Sequence, residues 1–222
     1  MSLSALLAIK PGVTAVIGGG GKTTLLSVLG RELSARGRVA LCTTTKIFPF
    51  PGLPCAQTAE ELARLAGERL ICTGTEVPDT GKLTVPPVPI AQLARAFDYV
   101  LVEADGSAGR PLKAHAPHEP VIPPEAGNVI LVVGASGFGR PVREAAHRPE
   151  RYGALAGADL SDPATPETEA AVLRAEGLHH RLYINQAETA AALAAAERLA
   201  ALAGCPAVAG SLWRGAYQVC RQ

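Results

Sequence analysis

The chain has 222 residues, with 21 Lys and Arg against 20 Asp and Glu and a net charge of +1, which gives no electrostatic case for nucleic acid as a partner. Hydrophobic residues make up 48% and aromatics 4%, so an aliphatic core is expected, and the length suits one large α/β domain over 1–222. No run approaches the roughly 18 apolar residues of a membrane span, and the N-terminus lacks the basic start of a signal peptide. The five cysteines are odd in number and show no C-x-x-C spacing, so reduced thiols in a cytoplasmic protein are the expectation.

Residues 13–17 are an apolar run that reads as a buried strand. Gly18, Gly19, Gly20 and Gly21 follow, then Lys22, Thr23 and Thr24, then a helical pattern from Leu25. Glycines reach positive φ and let backbone N–H groups turn inward around phosphate oxygens, and the helix N-terminus adds partial positive charge. In such a loop Lys22 reaches the β/γ-phosphates and the Thr23 hydroxyl ligates Mg²⁺, so the expected ligand is ATP or GTP with Mg²⁺. The long G-x-x-x-x-G-K-[ST] spacing is not met, because its first glycine falls on Val16. The shorter G-x-x-G-K-T-T form is similar to the loops of Mur-type ligases and of the ParA/nitrogenase iron protein class, although the latter's signature lysine falls on Ile17.

Residues 38–43 read as a second buried strand, with Thr44, Thr45 and Lys46 at its C-terminal end. The hydroxyls of Thr44 and Thr45 are placed to sense a γ-phosphate or its Mg²⁺. The proline-punctuated segment 49–54 is a loop, and Thr58 with Glu61 predicts a capped helix start. Residues 70–74 form a short strand with 82–85 as its hairpin partner, and a short helix closes at 93–97. The strand at 98–106 ends in Glu103 and Asp105. Carboxylates at i and i+2 share one side of a strand, and an apolar strand ending in acid is the Walker B arrangement that holds Mg²⁺.

The irregular segment at about 106–127 carries Arg110, Lys113, His115, His118 and Glu119. A long stretch of this kind is usually functional. Its cations suit phosphate or a second anionic substrate, and His118 beside Glu119 suits acid–base work. The alternative is a proline-shaped surface loop with Lys113 paired to an acid. A third buried strand at 129–134 leads to a glycine-rich segment at 135–140, and 166–178 is helical, ending near His179 and His180. The strand 181–185 ends in Asn185-Gln186-Ala187-Glu188. GTPases place Asn-Lys-x-Asp at that point, so Asn185 and Glu188 are candidates for the base pocket, with Gln and Glu as departures from the pattern. An alanine-rich helix at 189–202 and a short strand at 208–212 complete the chain. The alternation predicts a mostly parallel sheet flanked by helices, with ligands at the strand C-termini.

The run Val102-Glu103-Ala104-Asp105-Gly106, then Arg110-Pro111-Leu112-Lys113-Ala114-His115 and His118-Glu119-Pro120-Val121-Ile122-Pro123, resembles the signature of the YqeC-like family. The similarity extends over roughly residues 12–188, through the glycine loop, Thr43-Thr44-Thr45-Lys46-Ile47 and His147-Arg148-Pro149-Glu150. The resemblance implies a P-loop NTPase-like three-layer α/β sandwich and an accessory role in maturing a selenium-dependent molybdenum hydroxylase, with that enzyme or its maturation proteins as partners. It supplies no reaction. The residues themselves give Mg²⁺-dependent nucleotide binding and hydrolysis, with Lys22, Glu103, Asp105, Lys113 and His118 as the catalytic set. A kinase or Mur-like ligase acting on a small anionic substrate, and a non-catalytic nucleotide-sensing scaffold, remain open alternatives.

Overall fold

The computed structural model describes residues 1–222. In chain order, the first strands and helices are α1 (Leu3–Leu6), β1 (Gly12–Gly18), α2 (Lys22–Ser34), β2 (Val39–Thr43) and β3 (Cys55–Ala56). Next come α3 (Ala59–Arg64), β4 (Leu70–Thr73), β5 (Glu76–Val77), β6 (Lys82–Leu83), α4 (Ile90–Ala96) and β7 (Tyr99–Glu103). The second half holds β8 (Leu112–Lys113), β9 (Ala126–Gly134), α5 (Val142–Ala145), β10 (Ala146–His147) and α6 (Pro149–Ala156). It ends with α7 (Pro166–Glu176), β11 (Arg181–Asn185), α8 (Ala190–Ala203), β12 (Ala207–Ser211) and β13 (Ala216–Arg221). Nine of these strands belong to one large, mostly parallel sheet. The fold is therefore α/β, as the alternation of the sequence requires.

The chain forms two compact units. The first comprises Met1–Val16, Thr23–Gly106 and Val121–Asn128. Its strands run in the order β1-β7-β2-β4-β3, all parallel. Val13, Ala40, Ile71, Val100 and Val102 pack with Leu93 and Phe97 of the α4 segment into an aliphatic core. Strands with neighbours on both edges and both faces must be apolar throughout, which is why β2 and β7 are buried at every position. Helix α3 starts as expected, with Thr58 and Glu61 forming a reciprocal capping box. The expected 70–74/82–85 hairpin is different in fact. Strand β6 pairs antiparallel with β5, because both edges of β4 are already taken by β2 and β3.

The second unit comprises Ile17–Lys22, Ser107–Pro120 and Val129–Gln222. Strands β9, β11 and β12 are parallel, and β13 closes the edge antiparallel to β12. Helix α7 stops where Gly177 takes the left-handed conformation, so His179 and His180 lie beyond it. The backbone and ring of His180 both bond Val129, through His180 N–H to the Val129 carbonyl at 2.9 Å and Val129 N–H to His180 Nδ1 at 3.2 Å. Helices α5 and α6 are short, at four and eight residues, and were not predicted from the sequence; Pro149 at the first turn and Gly157 after the last bound α6.

Leu101 is fully buried and sits in register with Thr14 of β1 and Leu41 of β2. Leu101→Ala should cost about 2–5 kcal/mol through lost burial and a residual cavity. A thermal melt should show a midpoint lowered by several degrees; an unchanged melt would remove Leu101 from the core.

Candidate functional site

In the first unit the end of β7 gathers the polar groups. Parallel pairing sets Glu103 level with Val16 of β1 and Thr43 of β2. The Thr23 hydroxyl, on the first turn of α2, donates to Glu103 Oε2 at 2.8 Å. Glu103 is only 6% exposed, whereas Thr23 is solvent-accessible. The Glu103 carbonyl accepts from Thr43 Oγ1 at 2.8 Å and from the Thr44 N–H at 3.1 Å. The Thr45 N–H in turn donates to Thr43 Oγ1, and the Thr44 hydroxyl donates to the Val121 carbonyl at 2.7 Å. The Val121 N–H returns to the Ala104 carbonyl at 2.9 Å. The structure thus brings together Thr23, Thr44, Thr45 and Glu103 of the sequence-derived set, linked through Thr43 and Val121 of the same motifs. Asp105 follows, 1% exposed.

In the second unit the glycine loop is clamped by backbone and side-chain contacts. Gly19 N–H donates to the Val132 carbonyl at 2.9 Å and Gly20 N–H to the Arg110 carbonyl at 3.1 Å. The sequence reading turned these N–H groups inward toward phosphate; they are bonded to neighbouring chain instead. The N–H groups without helical partners belong to the first turn of α2, which starts at Lys22. Gly20 has φ +79°, and a Cβ there would lie 2.4 Å from Gly134 N. A Cβ on Gly21, φ +124°, would lie 2.6 Å from Asn185 Nδ2. Both positions therefore require glycine for close approach as well as for conformation.

Asn185 is buried and spends its amide on the fold. Its Nδ2 donates to the Gly20 carbonyl at 2.7 Å, and its Oδ1 accepts from the Leu212 N–H at 3.1 Å. The end of β11 is thereby tied to the glycine loop and to the chain just past β12. Gln186 has φ +63°, and its Oε1 accepts from Ser136 Oγ at 2.5 Å. Glu188 is half-buried. Lys22 is 4% exposed and its ammonium donates to the Gly18 carbonyl at 2.6 Å. Its stem therefore lies inside the protein.

The signature segment is held by ion pairs within the second unit. Parallel pairing of β8 with β10 sets Lys113 level with His147. Lys113 Nζ lies 3.1 Å from Glu119 Oε2, and Arg148 Nε 2.7 Å from Glu119 Oε1. Partial burial works to raise the Glu119 carboxyl, but hydrogen bonds from Arg148 and Lys113 outweigh it and hold it down to about 2. Lys113 is buried and paired to Glu119; the sequence alternative set such a pairing in a surface loop, whereas residues 111–116 lie inside the protein. His118 is exposed on the turn before Glu119. Arg110 bonds the Glu144 carbonyl through its guanidinium.

His115, 2% exposed, was expected among the cations facing an anion; it is paired inside the unit instead. Its Nδ1 lies 2.7 Å from Glu176 Oε2, and its backbone N–H donates to Glu176 Oε1 at 2.6 Å. Glu169 of the same helix, α7, is 1% exposed. Burial pushes its carboxyl up to about 8, with the hydrogen bond from Tyr152 opposing and Glu176 adding to the shift. Nothing in the sequence pointed to Glu169 or Glu176, since their partners lie on other elements.

The fold and the glycine loop define an α/β protein consistent with a P-loop NTPase-like architecture. Residues 14–150 match the family described as "YqeC protein", and the chain belongs to that family. It is 37% identical over 158 residues to a protein of Escherichia coli (strain K12) described as "Uncharacterized protein YqeC", an overlap covering 67% of this chain and 62% of that one. The chain thus spans less than two thirds of the length of that relative. No helix is long and apolar enough to cross a membrane.

The two shifted carboxyls set opposite pH limits. Glu169 is raised in the folded state, so it favours folding below about pH 4.5 and loses that contribution as pH rises toward about 8. Glu119 is lowered, so its contribution is present above about pH 4.5 and fades as pH falls toward 2. Glu169→Gln should therefore flatten the loss of stability between about pH 5 and pH 7, on the order of 2 kcal/mol, measured by urea unfolding. A variant with the slope of the parent chain would mean that Glu169 titrates normally.

Proposed function

We propose that the chain binds a nucleoside triphosphate, ATP or GTP, together with Mg²⁺ through residues 18–24, and hydrolyses it as an accessory step in maturing a selenium-dependent molybdenum hydroxylase. The observation that carries the reading is the hydrogen bond from Thr23 Oγ1 to Glu103 Oε2 at 2.8 Å. It sets a hydroxyl that directly follows a glycine-loop lysine against the acid ending the neighbouring parallel strand. The donor set fits Mg²⁺. Both atoms are hard oxygens, Thr23 is open to water, and Mg²⁺ takes one or two protein ligands and keeps its waters and substrate phosphates. No group of three or more His, Cys, Asp or Glu side chains forms a cage for a metal, which suits a cation completed by phosphate rather than by protein.

Thr23 and Glu103 would hold the ion, with Asp105 beside them in the sequence. When bound, the ion screens the phosphate charge. The chain's own residues do the rest. Lys22 exchanges the Gly18 carbonyl for phosphate oxygens, its ammonium being held at 2.6 Å within the loop. The first turn of α2 supplies N–H donors. Thr44 and Thr45, bonded to Glu103 and Thr43, report the state of the acid strand to the loop that follows them. Asn185 holds the Gly20 carbonyl, so its contribution is to loop position, and any reading of the base by this segment falls to Glu188. The role in enzyme maturation rests on family resemblance alone. Transfer to an acceptor in place of water is favoured only if turnover requires an added acceptor.

Lys22→Ala should weaken nucleotide binding by about 2–4 kcal/mol, the cost of a lost charge-assisted contact. Calorimetric titration with ATP and GTP tests this; unchanged affinity in a variant with parental melting sinks the phosphate-loop reading. Glu103→Gln should weaken binding more in the presence of Mg²⁺ than in its absence. Equal loss in both conditions would remove the ion from Glu103. Titrating both nucleotides against Glu188→Ala decides the base: a guanine reader loses GTP affinity selectively.

A further inference from the structure

The first unit contains a cavity of about 480 Å³ that the nucleotide reading does not use. Three segments line it: Thr44, the stretch 85–90 ahead of and into α4, and the stretch 121–125. The volume lies within the range of small-molecule pockets. Two of its rim residues, Val85 and Val121, are 49% and 51% exposed, apolar surface left open to water.

Five of the twelve lining residues are prolines, which carry no backbone N–H. The N–H groups of Thr44 and Val121 are committed to the carbonyls of Glu103 and Ala104, and the Thr44 hydroxyl is committed to the Val121 carbonyl. Glu125 is the one charged lining residue, and it is exposed at the mouth. Glu125 is the one charge on a largely apolar wall, and its carboxylate disfavours an anion and favours a cationic or N–H-donating partner. Flat proline faces and branched aliphatic side chains accept a planar ring.

We propose that this cavity binds a planar, ring-containing small molecule that is neutral or cationic and presents an N–H donor toward Glu125. The site is distinct in chemistry from the glycine loop, which suits anions. Its wall is also joined to the acid strand. Thr44 and Val121 bond each other and the carbonyls of Glu103 and Ala104, so a ligand seated against them rests on the backbone that carries Glu103. The inference goes beyond the nucleotide reading and does not require it.

The test uses benzamidinium and benzoate, two planar rings of similar size and opposite charge, added without nucleotide to the ¹⁵N-labelled full chain. Benzamidinium should shift the amides of Val85, Val88, Ile90 and Glu125 with a dissociation constant on the order of 1 mM, as befits so small a ligand. Benzoate should bind at least tenfold more weakly. Glu125→Gln should weaken benzamidinium roughly tenfold, and Val85→Trp, which fills the cavity from its exposed rim, should abolish the shifts. Val121→Trp serves as the second filling variant should the first alter the melt. Equal binding of benzoate, or shifts that survive a folded filling variant, overturns the proposal. No shift with benzamidinium also overturns it and leaves the exposed valines as a protein-contact face. Because nucleotide is absent throughout, failure here leaves the phosphate-loop reading standing, and unchanged nucleotide affinity in Lys22→Ala leaves this one standing.

Discussion

A glutamate at the end of a central parallel strand is the constraint around which the first unit is arranged. Glu103 is 6% exposed, and a carboxyl group at that depth demands hydrogen-bond partners. Thr23 supplies one hydrogen bond to its side chain, while Thr43 and Thr44 occupy its carbonyl. These contacts fix where α2 starts against β7 and how the chain leaves β2. From Thr44 the order continues to Val121, so the return of the signature segment into the first unit is set by the same strand end. The side chain anchors the start of α2 and the backbone carbonyl anchors the end of β2, so one residue ties two segments to the strand end.

The second unit solves a different problem, that of holding a glycine loop without side chains of its own. Asn185 does this with one amide, accepting from Leu212 and donating to Gly20. The loop glycines allow neighbouring backbone to approach closer than any Cβ would permit. Four consecutive glycines are therefore explained by packing, since a Cβ on any of them would meet neighbouring atoms at less than 3 Å.

Around it the signature segment is pinned by charge. Glu119 takes Lys113 and Arg148, and Glu176 takes His115. Such pairs add little net stability when compared with apolar replacements, but breaking one leaves a buried charge stranded, so they specify one arrangement of the segment. A stretch without periodic hydrophobicity gains a defined conformation in this way. The cations that looked in sequence like a substrate-binding row are mostly spoken for within the protein.

What the sequence determined by itself was whatever depends on local pattern. Apolar runs bounded by turns gave β1, β2, β7, β9 and β11, because a strand buried on both faces must be apolar along its length. Thr58 and Glu61 gave the start of α3, since a capping box is a local hydrogen-bond exchange. The glycine loop with Lys22 and Thr23, and the acid at Glu103, were legible because each is a short motif at a strand end. Tertiary structure alone decided the partnerships between distant residues. Thr23 meets Glu103 across 80 positions, and Asn185 meets Gly20 across 165. The pairing of β6 with β5 in place of β4 follows from which neighbour fills which edge, and the burial of Lys113 and the bond from Asn185 to the Gly20 carbonyl follow from which segments meet in the packed chain. Occupancy of that kind is a property of the assembled fold, and no periodicity along the chain encodes it.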